Sequence, residues 1–199
     1  MRGGAQLASA RAFAHALACA AIALALASPA RAADPKPDAP AAKPGPDGWY
    51  DAAPPDASFE VRLPGAFEAT VDDGPDDEGV LMHSSGVRAT VPGAFGGSTA
   101  YAAHCNRLEG EARTPRERVL AGVEQWEKLR PLQYRKPIEQ HGVAGIEFQL
   151  KDDVKVMRAR IVAPPDGRTC TVLLHWRPFA KPREADVAKY LDSFRVRAR

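Results

Sequence analysis

Residues 157–176 read MRARIVAPPDGRTCTVLLHW, and this stretch decides the class of the fold. Met157, Ala159 and Ile161 alternate with Arg158 and Arg160 on the way in, and Cys170, Val172, Leu174 and Trp176 alternate with smaller or polar residues on the way out. A period of two is the signature of a strand with one face toward a core. Between the two runs stands Pro164-Pro165-Asp166-Gly167, and Asp-Gly is the dipeptide that accepts the positive φ angles of a tight hairpin. The stretch therefore predicts an antiparallel strand pair.

Upstream, Ile146, Phe148 and Leu150 alternate with Glu147, Gln149 and Lys151, preceded by a His141-Gly142-Val143-Ala144-Gly145 turn and an apolar Ile138. Farther upstream the period changes to that of a helix. Thr114-Pro115-Arg116-Glu117 is a capping box: the Thr hydroxyl accepts from a free backbone N–H, Glu reaches back, and Pro occupies the first helical position, where no donor is missed. Val119, Leu120, Val123 and Trp126 follow on one stripe, with Glu124 and Lys128 opposite, and Leu129-Arg130-Pro131 ends the helix. Downstream of the hairpin, a second helix from about Arg183 places Val187, Tyr190, Leu191 and Phe194 on its apolar side.

The N-terminal half adds strands. Phe59, Val61 and Leu63, then Phe67, Ala69 and Val71, alternate with polar residues across a Pro64-Gly65 turn, and the pattern suggests a meander. An acidic loop from Asp72 to Glu78 follows, then strands at Val80–Met82, Val87–Val91 and Thr99–Cys105, with Gly93, Gly96 and Gly97 separating the last two. Four or five strands, a helix, three strands and a helix make an α+β domain. The expected architecture is a central antiparallel sheet of about seven strands flanked by helices.

Ahead of this domain lies an expected export signal, residues 1–32. Arg2 and Arg11 lead, Phe13 to Ala27 form an Ala- and Leu-rich apolar run, and Ala30-Arg31-Ala32 supplies the small residues of a cleavage site between Ala32 and Ala33. Retention of the leader as an anchor and lipid modification at Cys19 are the alternatives. Residues 33–48, with Pro35, Pro37, Pro40, Pro44 and Pro46, read as a semi-rigid spacer, and the domain spans 49–199. Losing Arg2, Arg11 and Arg31, three bases and no acid, takes the formal charge from +2 to −1. A near-neutral domain has no field to gather nucleic acid. No membrane span is expected in the mature protein.

Four stretches resemble the PsbP-like fold: Phe59-Glu60-Val61-Arg62-Leu63-Pro64-Gly65, the helix around Val123 to Trp126, Gly145-Ile146-Glu147-Phe148 with the Asp-Gly hairpin, and Tyr190-Leu191-Asp192-Ser193-Phe194-Arg195-Val196. The resemblance, which spans most of residues 56–196, implies an α/β/α sandwich. It also implies a non-enzymatic binding or assembly role, as in the characterised members, such as the extrinsic photosystem protein that names the fold and a nuclear-import factor, beside many uncharacterised exported bacterial proteins. It transfers no functional residue.

The residues themselves supply few candidates. Cys105 and Cys170 both fall on the apolar phase of their strands, so they either join as a disulfide in an oxidising compartment or remain two separate buried thiols. His104 cannot serve Cys105, because neighbours on a strand point to opposite faces. His83, His141 and His175 lack the spacing of a zinc motif. The hard oxygens of Asp72, Asp73, Asp76, Asp77 and Glu78 are weak candidates for a calcium site, without the ligand spacing of a helix-loop-helix motif, and a solvated loop is the plainer reading. Trp126 and Trp176 read as core. The expectation is an exported non-enzymatic domain of the envelope or periplasm, without cofactor, that binds a protein partner or assists assembly. A small-ligand or metal-ion binding domain is the alternative.

Overall fold

The computed structural model describes residues 42–76, 79–93 and 96–197; the expected leader and its cleavage site lie outside them. Ten strands and two α-helices follow in the order β1 (Tyr50–Ala52), β2 (Phe59–Leu63), β3 (Glu68–Pro75), β4 (Leu81–Pro92), β5 (Ser98–Leu108), α1 (Pro115–Leu129), β6 (Leu132–Gln140), β7 (Val143–Lys151), β8 (Val156–Val162), β9 (Thr169–Trp176), α2 (Glu184–Ser193) and β10 (Arg195–Val196). A seven-stranded antiparallel sheet has the order β3-β4-β5-β9-β8-β7-β6, and a small sheet has the order β1-β2-β10.

The hairpin read from Asp166-Gly167 joins β8 to β9 with Val162 opposite Cys170, but through the longer connection 163–168, in which Gly167, at φ +89°, has positive φ and Asp166 does not. The tight turn is His141-Gly142, which has both residues at positive φ and joins β6 to β7. Pro137 lies within β6, which the sheet tolerates because β6 is an edge strand. Several expectations are corrected here. Leu81 and Met82 of the first expected run and Val87–Val91 of the second belong to one continuous twelve-residue strand, β4, which Val80 precedes. The stretch before Ile138 is itself strand, so four strands stand between the helices. Asp72 and Asp73 are strand residues of β3, opposite Ser84 and His83, and not part of a loop.

The meander is also corrected. Pro64-Gly65 leads β2 out of the main sheet, because β2 pairs only with β1 and β10 and packs Phe59, Val61 and Leu63, at most 2% exposed, under α2. One face of the main sheet thus meets a core built from Val87, Tyr101, Cys105, Cys170, Val172 and Leu174 together with Phe59, Tyr190, Leu191 and Phe194. The alternate residues face the other way and meet α1 through Val119, Val123, Phe148, Leu150, Ala159 and Ile161. The two helices therefore cover opposite faces.

The capping box of α1 forms as expected: Thr114 Oγ1 accepts from Glu117 N and the Glu117 carboxylate accepts from Thr114 N, a cap worth about 1 kcal/mol. The helix is set differently from its expected stripe. Arg118, Val119 and Val123 are buried, whereas Leu120 is exposed and Trp126 only half-buried. Gly122 permits this close approach, since a Cβ there would lie 3.0 Å from Ile161 Cδ1.

β7 departs from simple alternation as well. Glu147 is fully buried, because the face opposite α1 is covered too. Its carboxylate accepts from Arg158, Arg160 and Tyr134, and Arg158 and Arg160 continue to Glu184 and Asp192 of α2. From the middle of α2, Lys189 donates to the spacer residue Asp47, which also accepts from Arg62.

A groove between helix α1 and the sheet

Helix α1 rests chiefly on β7, β8 and the near side of β9. The β4–β5 half of that face carries small or polar side chains, including Ala100, Ala102, His104 and Asn106, which cannot build a layer of their own. The result is a largely apolar groove of about 610 Å³ between α1 and the floor formed by β4, β5 and β9. Its floor includes Thr171, Leu173 and His175 of β9, and its wall is the helix face of Arg118, Ala121, Gly122, Gln125, Trp126 and Leu129.

Two buried polar atoms of that wall have no hydrogen-bond partner: Arg118 Nε and Gln125 Oε1. Arg118 is only 4% exposed. Its terminal nitrogens donate to Arg113 O at 2.7 Å and Pro164 O at 2.5 Å, and no carboxylate among the described residues forms an ion pair with it. Arg113 instead pairs with Glu111 at 2.6 Å. Burial lowers His104 to about 4, and burial together with the nearby Lys155 charge lowers His175 to about 4. Both imidazoles are therefore neutral at neutral pH.

Opposite His104 through the sheet, Cys105 is bonded to Cys170, with an S–S distance of 2.05 Å and a Cα separation of 4.0 Å. Of the two readings left open for these cysteines, the structure contains the joined one. It also places His104 and Cys105 on opposite faces, one in the groove and one in the core.

The acidic candidates are dispersed. Asp73 and Asp56 share His83 between them, Asp56 at 3.0 Å, and these carboxylates raise the His83 pKa. Asp76 closes the β3–β4 turn by accepting from Val80 N at 2.9 Å, and Asp72 lies across from Ser84. Asp77 and Glu78 lie outside the described residues. Among the described residues no group of three or more potential ligands gathers as a metal site, and no helix is long and apolar enough to cross a membrane. Elsewhere His141 Nε2 meets Asp192 O at 3.0 Å, Trp176 is core as expected, and Trp126 meets that expectation in part, half-buried against the core under α1 while also standing at the groove wall.

A pocket between sheet and helices belongs to the small-ligand alternative, but sequence reasoning named none of the groove's residues. The signal that could have revealed it is the spacing Arg118, Gly122, Gln125, Leu129, a second stripe of helical period that carries a glycine where a contact residue is normal.

No family model matches the chain, and no curated protein matches it. Among solved structures, the crystal structure of PA94, a protein of unknown function from Pseudomonas aeruginosa, is 16% identical and aligns with 71% of this chain and 91% of its own, at a TM-score of 0.39.

Proposed function

We propose that this chain is an exported binding domain whose groove, between α1 and the β4–β5–β9 floor, holds a small amphipathic molecule. One observation carries the reading: an apolar groove of about 610 Å³ has two buried polar atoms without partners on one wall. That volume suits a small ligand, for which pockets run ~300–1,000 Å³. A buried donor or acceptor left unmade costs about 1–3 kcal/mol, so a ligand that satisfies both atoms gains beyond its apolar contact. The low basicity of His104 and His175 makes them poor general bases at neutral pH, which supports binding over catalysis.

Export rests on the leader pattern of Arg2, Arg11, the apolar run and Ala30-Arg31-Ala32. The bonded Cys105–Cys170 pair supports it, since structural disulfides belong to oxidising compartments. The PsbP-like reading of the architecture is supported by the helices on opposite faces of one antiparallel sheet.

The test uses the neutral apolar dye N-phenyl-1-naphthylamine with wild type and with Ala102→Trp, which places a large ring on the groove floor. Wild type should bind one dye per chain, and the variant, with its circular dichroism unchanged, should bind none. Equal dye binding by both proteins, or none by either, would remove the reading. A polypeptide that co-purifies with wild type and is lost from the variant would replace the small molecule with a protein partner.

A further inference from the structure

The groove's charges identify the chemistry of its ligand, a step that rests on the binding reading above. Among the described residues five bases line it, Arg88, Arg113, Arg118, Arg130 and Lys155, against one acid, Glu111. Three of the five are already occupied: Arg113 by Glu111, Arg88 by Glu68 and Arg130 by Asp152. Arg118 is different, being 4% exposed, without an ion pair among the described residues, and with its Nε–H unused. The carboxylates that feel its charge, Glu111 and Asp166, are each bonded to another arginine, Arg113 and Arg168, and a buried guanidinium whose own partners are backbone carbonyls is stabilised further by an anion beside it.

Two helical turns along the same wall, Gln125 offers an acceptor, Oε1, that also has no partner. Seven residues of helix set the two atoms' backbones ~10 Å apart. Between them Ala121 and Gly122 leave the wall low and apolar.

We infer that the groove takes a free carboxylic acid with an apolar body, its carboxylate on Arg118 Nε and a hydroxyl or amide N–H ~10 Å farther along donating to Gln125 Oε1. A single free N–H suits a singly charged carboxylate. A dianionic phosphate would call for a fork of donors, and the terminal nitrogens of Arg118 are held by backbone carbonyls.

The experiment compares octanoate, octanol and 8-hydroxyoctanoate by calorimetry on the whole chain with its disulfide intact. Wild type should prefer octanoate to octanol by about tenfold or more, the range of one charge-assisted hydrogen bond, and 8-hydroxyoctanoate should bind more tightly still. Arg118→Met should erase the octanoate preference and leave octanol unchanged, and Gln125→Leu should erase only the gain from the hydroxyl. Should Arg118→Met fail to fold, the wild-type comparison of octanoate with octanol decides alone. Equal affinity for those two overturns the acid while leaving a binding groove. Failure of all three probes, with the naphthylamine dye still bound one per chain, also overturns it. Failure of the dye as well removes the groove reading itself.

Discussion

Cys105 on β5 stands directly opposite Cys170 on β9, and their Cα atoms approach to 4.0 Å. Such closeness belongs to the narrow pairs of an antiparallel ladder, where side chains on one face are nearest. The bond therefore ties two central strands that already adjoin, and it bridges 65 residues of chain. Its stabilisation comes mainly from the unfolded state, where closing a loop of that length amounts to about 4 kcal/mol in the chain-entropy account. Cys105→Ala with Cys170→Ala should lower the unfolding free energy in urea by about 2–4 kcal/mol, and non-reducing mass spectrometry of wild type should show the loss of two hydrogens. Free thiols in the denatured, unreduced protein would sink this expectation.

Glu147 is a buried acid held by two guanidinium groups. Burial pushes its pKa up, but the hydrogen bonds from Arg160 and Arg158 outweigh burial and hold it at about 2. Because the folded value lies below the unfolded one, the stabilisation is present above about pH 4.5 and is lost as pH falls toward about 2. Glu147→Gln keeps the shape and removes the charge, so Arg158 and Arg160 keep as charged partners only Glu184 and Asp192 of α2, beside the neutral Gln140 amide that Arg160 also reaches. A loss of about 3 kcal/mol is expected, with a shallower decline of stability in acid than wild type. A variant within about 0.5 kcal/mol of wild type at neutral pH would show that α2 is not anchored through this carboxylate.

The histidines act in opposite directions. His104 and His175 titrate near 4 in the folded protein, below the ordinary imidazole value of 6.5, so the unfolded chain binds more protons between those limits. Stability should fall as pH drops through that window, by on the order of 2 kcal/mol per histidine after discount for partial exposure. His83, raised by Asp56 and then Asp73, has the reverse sign: its contribution is complete below pH 6.5 and declines as pH rises through its folded value. Urea titrations across the range should therefore flatten on the acid side for His104→Gln and on the alkaline side for His83→Gln. Parallel curves for wild type and His104→Gln would contradict the placement of His104 in the groove.

Much of the fold was legible because period and turn chemistry are local. The Asp166-Gly167 hairpin, the capping box at Thr114 and the stripe of Val187, Tyr190 and Leu191 each act within a few residues, and each stands where expected. The transfer of β2 to a second sheet was not legible, since strand alternation specifies a buried face without naming its partner. Alternation assigns Glu147 to the polar, outward phase of β7, yet the sheet is covered on both faces and only a buried ion-pair network makes that position tolerable. The residues of the groove escaped notice for a related reason. The groove arises from what α1 fails to cover, and a basic residue in the first turn of a helix, such as Arg118, ordinarily faces water.

Two glycines separate backbone contact from side-chain contact. At Gly145, paired with Val162 on β8, an added Cβ would lie 2.4 Å from Ile161 O and 2.7 Å from Val162 Cγ1. The carbonyl belongs to a sheet interior and cannot retreat without breaking the ladder, so Gly145→Ala should cost about 3 kcal/mol or prevent folding. At Gly122 the new methyl meets only the Ile161 side chain, tightly at Cδ1, 3.0 Å, and in ordinary contact at Cγ2, 3.5 Å; Cδ1 is the end of a side chain that also lines the open groove and has space to turn into it. Replacing a helical glycine by alanine contributes ~1 kcal/mol through propensity, which exceeds the cost of rotating one methyl. Gly122→Ala should therefore raise the urea midpoint slightly while weakening dye binding, because the displaced Ile161 occupies groove volume. A strongly destabilised Gly122→Ala would mean that α1 sits on a filled layer and that the groove is not there to receive the side chain.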